Sequence, residues 1–244
     1  MTPPYVLSRP QRVYVACAAV FLTALVIAEA TAGKFFTAVQ LPTPITILGE
    51  RFESVVMTAG VLAFPITFIV TDVVNEYFGR AGIRYVTYLG LAMVAFAFVI
   101  LQAALAVPTA PISPVPDEAF AAVFGTTTRV IVGSLTAYLL GQLLDIALFH
   151  RLREWTGGRH LWLRATGSTL GSQLLDTAVV LTIAFWGQLG AGAILAITLF
   201  NYGYKVLIAI AITPLVYLAH ALIDRYLGRE ADRLLDAATQ EDAV

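Results

Sequence analysis

The chain has 244 residues, of which 59% are hydrophobic and only 13% are charged, and its formal net charge is −1. Such a low charged fraction, with a mean hydropathy of +0.80, excludes an ordinary soluble domain. The single cysteine, Cys17, excludes an intrachain disulfide and a cysteine-rich metal site. We therefore expect one polytopic, all-α membrane domain over residues 1–244, with the lipid bilayer around it and with no nucleic-acid partner, metal or cofactor.

The first apolar run covers residues 13–28 and follows Arg9 and Arg12, and it predicts a membrane helix over about residues 13–32. An alternative is a signal peptide that is cleaved at Ala28-Glu29-Ala30. A membrane helix is favoured because five further apolar spans follow it. The next stretch, QLPTPITILGERF, alternates β-branched residues with proline and glycine. This stretch predicts a short hairpin or an extended loop.

Five further spans are predicted at about residues 54–77, 83–107, 129–149, 165–187 and 193–222. Basic residues concentrate on one side of the six spans, which predicts an inner-membrane protein with both termini in the cytoplasm. The residues on that side are Arg9, Arg12, Arg80, Arg84, Arg151, Arg153, Arg159, Arg164, Arg225, Arg229 and Arg233. The other side carries Lys34, Arg51 and Arg129.

Six spans also divide into two groups of three, and the second group would be inverted relative to the first. Transporters often contain such a 3+3 inverted repeat, with the binding site where the halves meet. Helix two would then correspond to helix five, and each carries an aspartate, Asp72 and Asp176. The small residues Gly133, Ser134 and Ala137 of span four permit close helix contact, which suggests a homodimer.

Polar side chains recur at spacings of three and four residues inside four of the spans, so each helix has one polar face. In FPITFIVTDVVNEYFG, for example, two carboxyls and an amide point the same way. Ionisable groups within a bilayer are costly and by default mark a site. The predicted substrate-binding residues are Asp72, Asn75, Glu76, Gln142, Asp145, Gln173, Asp176, Asn201 and Lys205. We expect them to line one elongated cavity.

Four acids and one lysine cannot all be charged and paired in a low-dielectric site. A cation or a ligand rich in hydrogen-bond donors would satisfy the acids, and carboxylates with amides suit a planar heterocycle. Interhelical hydrogen bonding without a ligand is an equal alternative for Gln142 and Gln173. Lys205 is expected to pair with an acid, and Glu29 is expected to face water. No nucleophile with a matched base is visible, so an intramembrane enzyme is the less favoured class.

Five motifs in this order, VQLPTPITILG, FPITFIVTDVVNEYFG, GQLLDIALFHRLRE, STLGSQLLDTAVVLTIAFWG and NYGYKVLIAI, closely resemble the vitamin uptake transporter-like family of queuosine precursor transporters. The resemblance covers nearly the entire chain. It implies a six-helix inner-membrane importer of 7-cyano-7-deazaguanine, and of its aminomethyl relative, for tRNA-modification salvage. It also implies a role for Asp72, Gln142, Asp145, Asp176 and Lys205.

Two features of the resemblance leave alternatives open. The family is similar to the substrate-binding subunits of energy-coupling-factor vitamin importers, which work with an ATPase module. A subunit of that kind is therefore the second hypothesis. The other feature is a departure near the outer end of helix one, where relatives carry an asparagine and this chain reads Ile27-Ala28-Glu29-Ala30-Thr31. The outer part of the site is expected to differ here.

Overall fold

The structure is a computed structural model that describes residues 6–125, 128–187 and 189–242. Five of its elements are long and apolar enough to cross a membrane, which confirms a largely helical, multi-pass membrane protein. In chain order the elements are α1 Arg9–Thr31, β1 Phe35–Ile47, β2 Glu50–Thr58, a 3-10 turn Ala59–Ala63, α2 Phe64–Ala106, α3 Asp117–Phe124, α4 Thr128–Thr156, α5 Leu161–Phe185, α6 Ala191–Ala211, α7 Thr213–Leu227 and α8 Arg229–Asp242.

The hairpin that follows α1 is longer than the sequence suggested. Its strands β1 and β2 pair antiparallel from Phe35 with Thr58 to Ile47 with Glu50. Leu48 and Gly49 form the tip with φ angles of 48° and 86°, as a tight two-residue turn requires. The prediction that span two begins near residue 54 was wrong, because residues 54–58 belong to β2 and α2 begins at Phe64. A continuous apolar run does not by its periodicity separate a buried strand from a helix.

The longest element, α2, is broken at Gly79, whose φ of 62° and ψ of −168° are not helical. Contacts with α1 show that the chain reverses there. They are, in order along α1, Tyr14 with Phe78 and Gly82, Leu25 with Gly90, and Ala28 with Gly60. Residues 64–78 therefore run antiparallel to α1, and residues 80–106 run parallel to it. This break separates the predicted spans at 54–77 and 83–107.

The predicted sixth span, residues 193–222, is divided in the structure. The first part, α6, ends at Ala211 and α7 begins at Thr213, with Ile212 between them. Pro214 lies in the first turn of α7, where its missing N–H and its ring interrupt the helical hydrogen bonding. The polar segment after α7 forms a further helix, α8, that the sequence analysis did not predict. Its buried residues Ala231 and Ala238 face the rest of the bundle.

The small residues of α4 are used within the chain. Gly133 lies against Ile183 and the backbone of Ala184 in α5, and Ser134 and Ala137 are buried. A glycine or alanine at such a position lets two helices approach closely. Gly133 therefore contacts α5 and Ser134 contacts Glu29 of α1, so these residues are used within the chain, and the homodimer stays a prediction.

We predict that Gly79→Ala lowers the stability of the folded protein by about 1–3 kcal/mol, because the φ and ψ of this residue are almost exclusive to glycine. The added methyl group would also collide with the Glu241 carboxylate of α8. The midpoint of thermal unfolding in detergent is the measurement. Gly203→Ala in α6 is the matched control, since open space surrounds its Cα, and its midpoint should stay unchanged or rise. Equal midpoints for the two variants would contradict the account of Gly79.

Candidate functional site

A cavity of about 370 Å³ lies among α1, α2, α4, α5 and α6. It reaches the hairpin end of the bundle, where its wall includes the exposed residues Gly33 and Gly125. At the opposite side its floor includes Thr71 and Asp145. Cavities of roughly 300–1,000 Å³ with an apolar lining and a few convergent polar groups are typical of small-molecule sites.

The ammonium group of Lys205 is fully partnered by α5. Its Nζ donates to Gln173 Oε1 at 2.8 Å, to Asp176 Oδ2 at 2.9 Å and to Thr177 Oγ1 at 3.1 Å. It also lies 3.9 Å from the ring centroid of Phe64, which is a cation–π distance. The expected pairing of Lys205 with an acid is thus observed, and the pair lies in the cavity wall.

Two amide oxygens in the cavity wall accept no hydrogen bond from the residues that the structure describes. They are Gln142 Oε1 of α4 and Asn201 Oδ1 of α6. The Asn201 amide is held in place because its Nδ2 donates to the Ile197 carbonyl at 2.8 Å. An unsatisfied buried acceptor costs about 1–3 kcal/mol. A ligand that brings N–H donors to these two oxygens would remove that cost.

Asp145 forms part of the cavity floor and receives a hydrogen bond from Ser172 Oγ at 3.0 Å. This contact joins α4 to α5 at the cavity floor. It is shielded from water, because Asp145 is 6% exposed and Ser172 is fully buried. The serine hydroxyl can donate to only one acceptor at a time. The second carboxylate oxygen of Asp145 is therefore not held by Ser172.

Glu29 was expected to face water, but it lines the cavity and accepts a hydrogen bond from Ser134 of α4. The same end of α1 also packs closely on the 3-10 turn, because Gly60 has no side chain where the Ala28 carbonyl approaches it. The signal in the sequence was a lone acid inside an otherwise apolar helix, which by default marks a site.

Aromatic rings supply much of the apolar wall. Phe64, Phe68, Phe98 and Tyr138 all line the cavity, and the first two are stacked with their centroids 5.6 Å apart. Tyr77 is buried elsewhere, where its hydroxyl donates to Asp224 at 2.6 Å. The lining rings offer flat surfaces on which a planar ligand could stack.

The structure brings six of the nine predicted site residues to the cavity and leaves three outside it. The six are Gln142, Asp145, Gln173, Asp176, Asn201 and Lys205. Asp72, Asn75 and Glu76 lie beyond the floor, buried in the other half of the bundle. The expectation of one elongated cavity along all four polar faces is therefore corrected, because packed side chains close the lower half.

The Glu76 carboxylate contacts two arginines and does not face an open cavity. The Arg164 guanidinium contacts both oxygens of the carboxylate, at 2.7 and 2.8 Å, and Arg153 lies 3.9 Å away. The sequence analysis had assigned both arginines to the cytoplasmic boundary. Their proximity to a buried acid depends on how α2, α4 and α5 pack together.

No group of three His, Cys, Asp or Glu side chains suited to a metal occurs within the described ranges.

Comparison with known proteins identifies a family that matches most of the chain. Residues 58–219 match the model of the family described as "Putative vitamin uptake transporter". The chain belongs to this family. The matched region includes α2 and α4–α6, which contribute most of the cavity wall. No solved structure matches the chain.

Curated relatives of this vitamin uptake transporter family member bear transporter names. The "Probable queuosine precursor transporter" of Bacillus subtilis is 33% identical over 68% of this chain and 72% of its own length. The "Queuosine precursor transporter" of Escherichia coli is 32% identical over 80% of this chain and 82% of its own length. These names agree with the expectation of a transport protein and not an enzyme.

We predict that Lys205→Met lowers stability by roughly 1.5–3 kcal/mol, because it leaves the Asp176 carboxylate without its charged donor. Adding Asp176→Asn to this variant should recover part of the loss, since the uncompensated charge is then removed. Thermal unfolding in detergent tests both variants. The exposed Arg51–Glu53 pair of the hairpin is the control, and Glu53→Gln should leave the midpoint unchanged. A double variant less stable than Lys205→Met would contradict the pairing.

Proposed function

We propose that the protein is an inner-membrane importer of queuosine precursors, chiefly 7-cyano-7-deazaguanine and also its aminomethyl relative. The observation that carries this proposal is the set of unsatisfied amide oxygens beside a lysine–aspartate pair in an aromatic-lined cavity. The names of the relatives from Bacillus subtilis and Escherichia coli support the same cargo.

The chemistry of the cavity suits the edge of a deazaguanine. That edge presents ring N–H and exocyclic amino donors beside one carbonyl acceptor. Gln142 Oε1, Asn201 Oδ1 and the carboxylate of Asp176 are acceptors for the donors. The amide N–H groups of Gln173, whose Oε1 is already held by Lys205, are donors for the carbonyl. The Phe64 and Phe68 rings would stack on the flat base.

We further propose six membrane crossings with both termini in the cytoplasm. Three contacts place arginines from separate parts of the chain at the end that carries α7 and α8. They are Arg9 with the Tyr226 carbonyl, Arg80 with Glu154, and Arg153 with Thr239. Basic residues prefer the cytoplasmic side, so the cavity mouth beside the hairpin faces outward. The 3+3 inverted repeat is also part of this proposal. An inverted repeat relates Asp72 to Asp176, and the two aspartates lie on opposite sides of the cavity floor.

We predict that Asp176→Asn weakens binding of 7-cyano-7-deazaguanine by about tenfold or more, because a charged acceptor in the cavity is lost. Asp72→Asn is the matched control: the chemical change is identical, but Asp72 does not line this cavity. Isothermal titration of the purified protein, with guanine as competitor, measures both. Binding that is lost in Asp72→Asn and retained in Asp176→Asn would contradict the assignment of the site.

Import should need no ATPase partner, so purified protein in liposomes is expected to take up the labelled base alone. Uptake that appears only after an ATPase module is added would favour the energy-coupling-factor alternative. A folded sample that neither binds nor transports the base would contradict the proposed cargo.

Topology is tested separately with fusions to reporters that are active on one side of the membrane. A fluorescent protein that folds only in the cytoplasm should be active after Asp242. A periplasmic phosphatase inserted at the Leu48-Gly49 tip of the hairpin should also be active. The opposite pattern would invert the proposed orientation.

A further inference from the structure

The half of the bundle below the cavity is closed by a layer of packed side chains. Asn75, Phe149 and His150 are fully buried there, and Tyr77 is 1% exposed. None of these residues lines the cavity, whose floor stops at Thr71 and Asp145. A ligand in the cavity therefore reaches the opposite side of the membrane only if the helices that hold this layer move apart.

One buried ion pair ties those helices together. Arg164 of α5 donates from Nε to Glu76 Oε2 at 2.8 Å and from Nη2 to Oε1 at 2.7 Å, in a bidentate geometry. Arg153 of α4 lies 3.9 Å from Glu76 Oε1. Glu76 belongs to α2, so three helices meet at one carboxylate. All three side chains are no more than 8% exposed.

The same arginines also hold the segments that cover this end. Arg153 Nη2 donates to Thr239 Oγ1 at 2.9 Å and to the Leu235 carbonyl at 3.3 Å, which fixes α8. Arg164 Nη1 donates to the Gly158 carbonyl at 2.9 Å, which fixes the connection between α4 and α5. The two arginines therefore join the ion pair to the segments that cover this end.

We propose that Glu76, Arg164 and Arg153 form the inner gate of the transporter, closed in this structure and opened by separation of α5 from α2. The proposal rests on the proposed transport of a cargo from the cavity to the arginine-rich side. A charged gate suits this depth because long arginine side chains can extend to the interface when the helices part. Each charge then exchanges a buried partner for water, so both the closed and the open state are accessible.

Removal of Glu76 alone should favour the open state. Glu76→Gln removes the carboxylate that Arg164 contacts through both oxygens, and opening lets the Arg164 guanidinium reach water. The double variant Glu76→Gln/Arg164→Gln also removes the buried guanidinium, so it should close again at least in part.

The reporter for the inner side is Ser168→Cys in a Cys17→Ala background. Ser168 is fully buried and lies one helical turn from Arg164, between the ion pair and the cavity floor. A membrane-impermeant maleimide is applied to inside-out vesicles. We expect slow labelling with the gate intact, labelling about tenfold faster with Glu76→Gln, and a rate at least halfway back with the double variant.

The matched control breaks another ion pair at the same end. Arg80 and Glu154 join α2 to α4 near the surface, with side chains 32% and 45% exposed. Arg80→Gln should change the labelling rate of the Ser168→Cys reporter by less than about twofold. Equal acceleration by Arg80→Gln and Glu76→Gln, or no acceleration by Glu76→Gln, would overturn the gate.

A second reporter separates gating from unfolding. Ser134 lies in the cavity wall. The second reporter is Ser134→Cys, which the same maleimide labels from outside in right-side-out vesicles. Alternating access predicts that Glu76→Gln slows this labelling while it accelerates labelling of Ser168→Cys. Faster labelling of both reporters would indicate unfolding and contradict the gate. Neither assay contains cargo, so a failure of the gate is scored separately from a failure of the queuosine-precursor assignment.

Discussion

The structure depends on the compensation of charge inside a bundle that is otherwise apolar. An ionised side chain away from water is tolerated only with a partner, and two pairs at different levels satisfy this constraint. Lys205 and Asp176 form one pair in the cavity wall, and Arg164 and Glu76 form the other beyond the floor. Because the partners lie on different helices, the same contacts that neutralise charge also fix α5 against α6 and against α2.

The two levels differ in where their unpartnered groups lie, since those of Gln142 and Asn201 line the cavity whereas those of Asp72 and Asn75 do not. Around the cavity, the oxygens of Gln142 and Asn201 accept no hydrogen bond within the described part of the chain, so that level is prepared for a ligand. Around Glu76, the carboxylate is contacted on both oxygens and the arginines bind carbonyl groups as well. The proposed binding and the proposed closure therefore use separate polar groups on the same helices.

The sequence was informative where physical rules act locally. Spacings of three and four residues placed Gln142 with Asp145 and Asn201 with Lys205 on common faces, and the structure shows these faces in the cavity wall. Local rules did not reveal how far the cavity extends along α2, because that depends on the packing of large side chains such as Phe149. For this reason the polar face of α2 was assigned to the cavity, whereas Glu76 binds arginines.

Other differences have equally specific causes. The start of α2 was misplaced because the apolar residues of β2 are followed directly by those of the 3-10 turn, without a polar boundary. The α8 helix was missed because its sequence is polar overall. The burial of its two alanines depends on contact with the rest of the bundle, which the sequence of α8 alone does not show. Glu29 lies in the cavity wall beside Ser134 of α4, and periodicity within one helix does not record such a contact between helices.

The reversal at Gly79 has a consequence for the order in which the molecule is completed. The Ala81 amide, just after the break, donates to the Glu241 carboxylate at 2.9 Å, so α8 covers a turn that was synthesised 160 positions earlier. Until α8 has been synthesised, the turn at Gly79 lacks this cover. The Gly79 end of the bundle is therefore closed only after α8 has joined it.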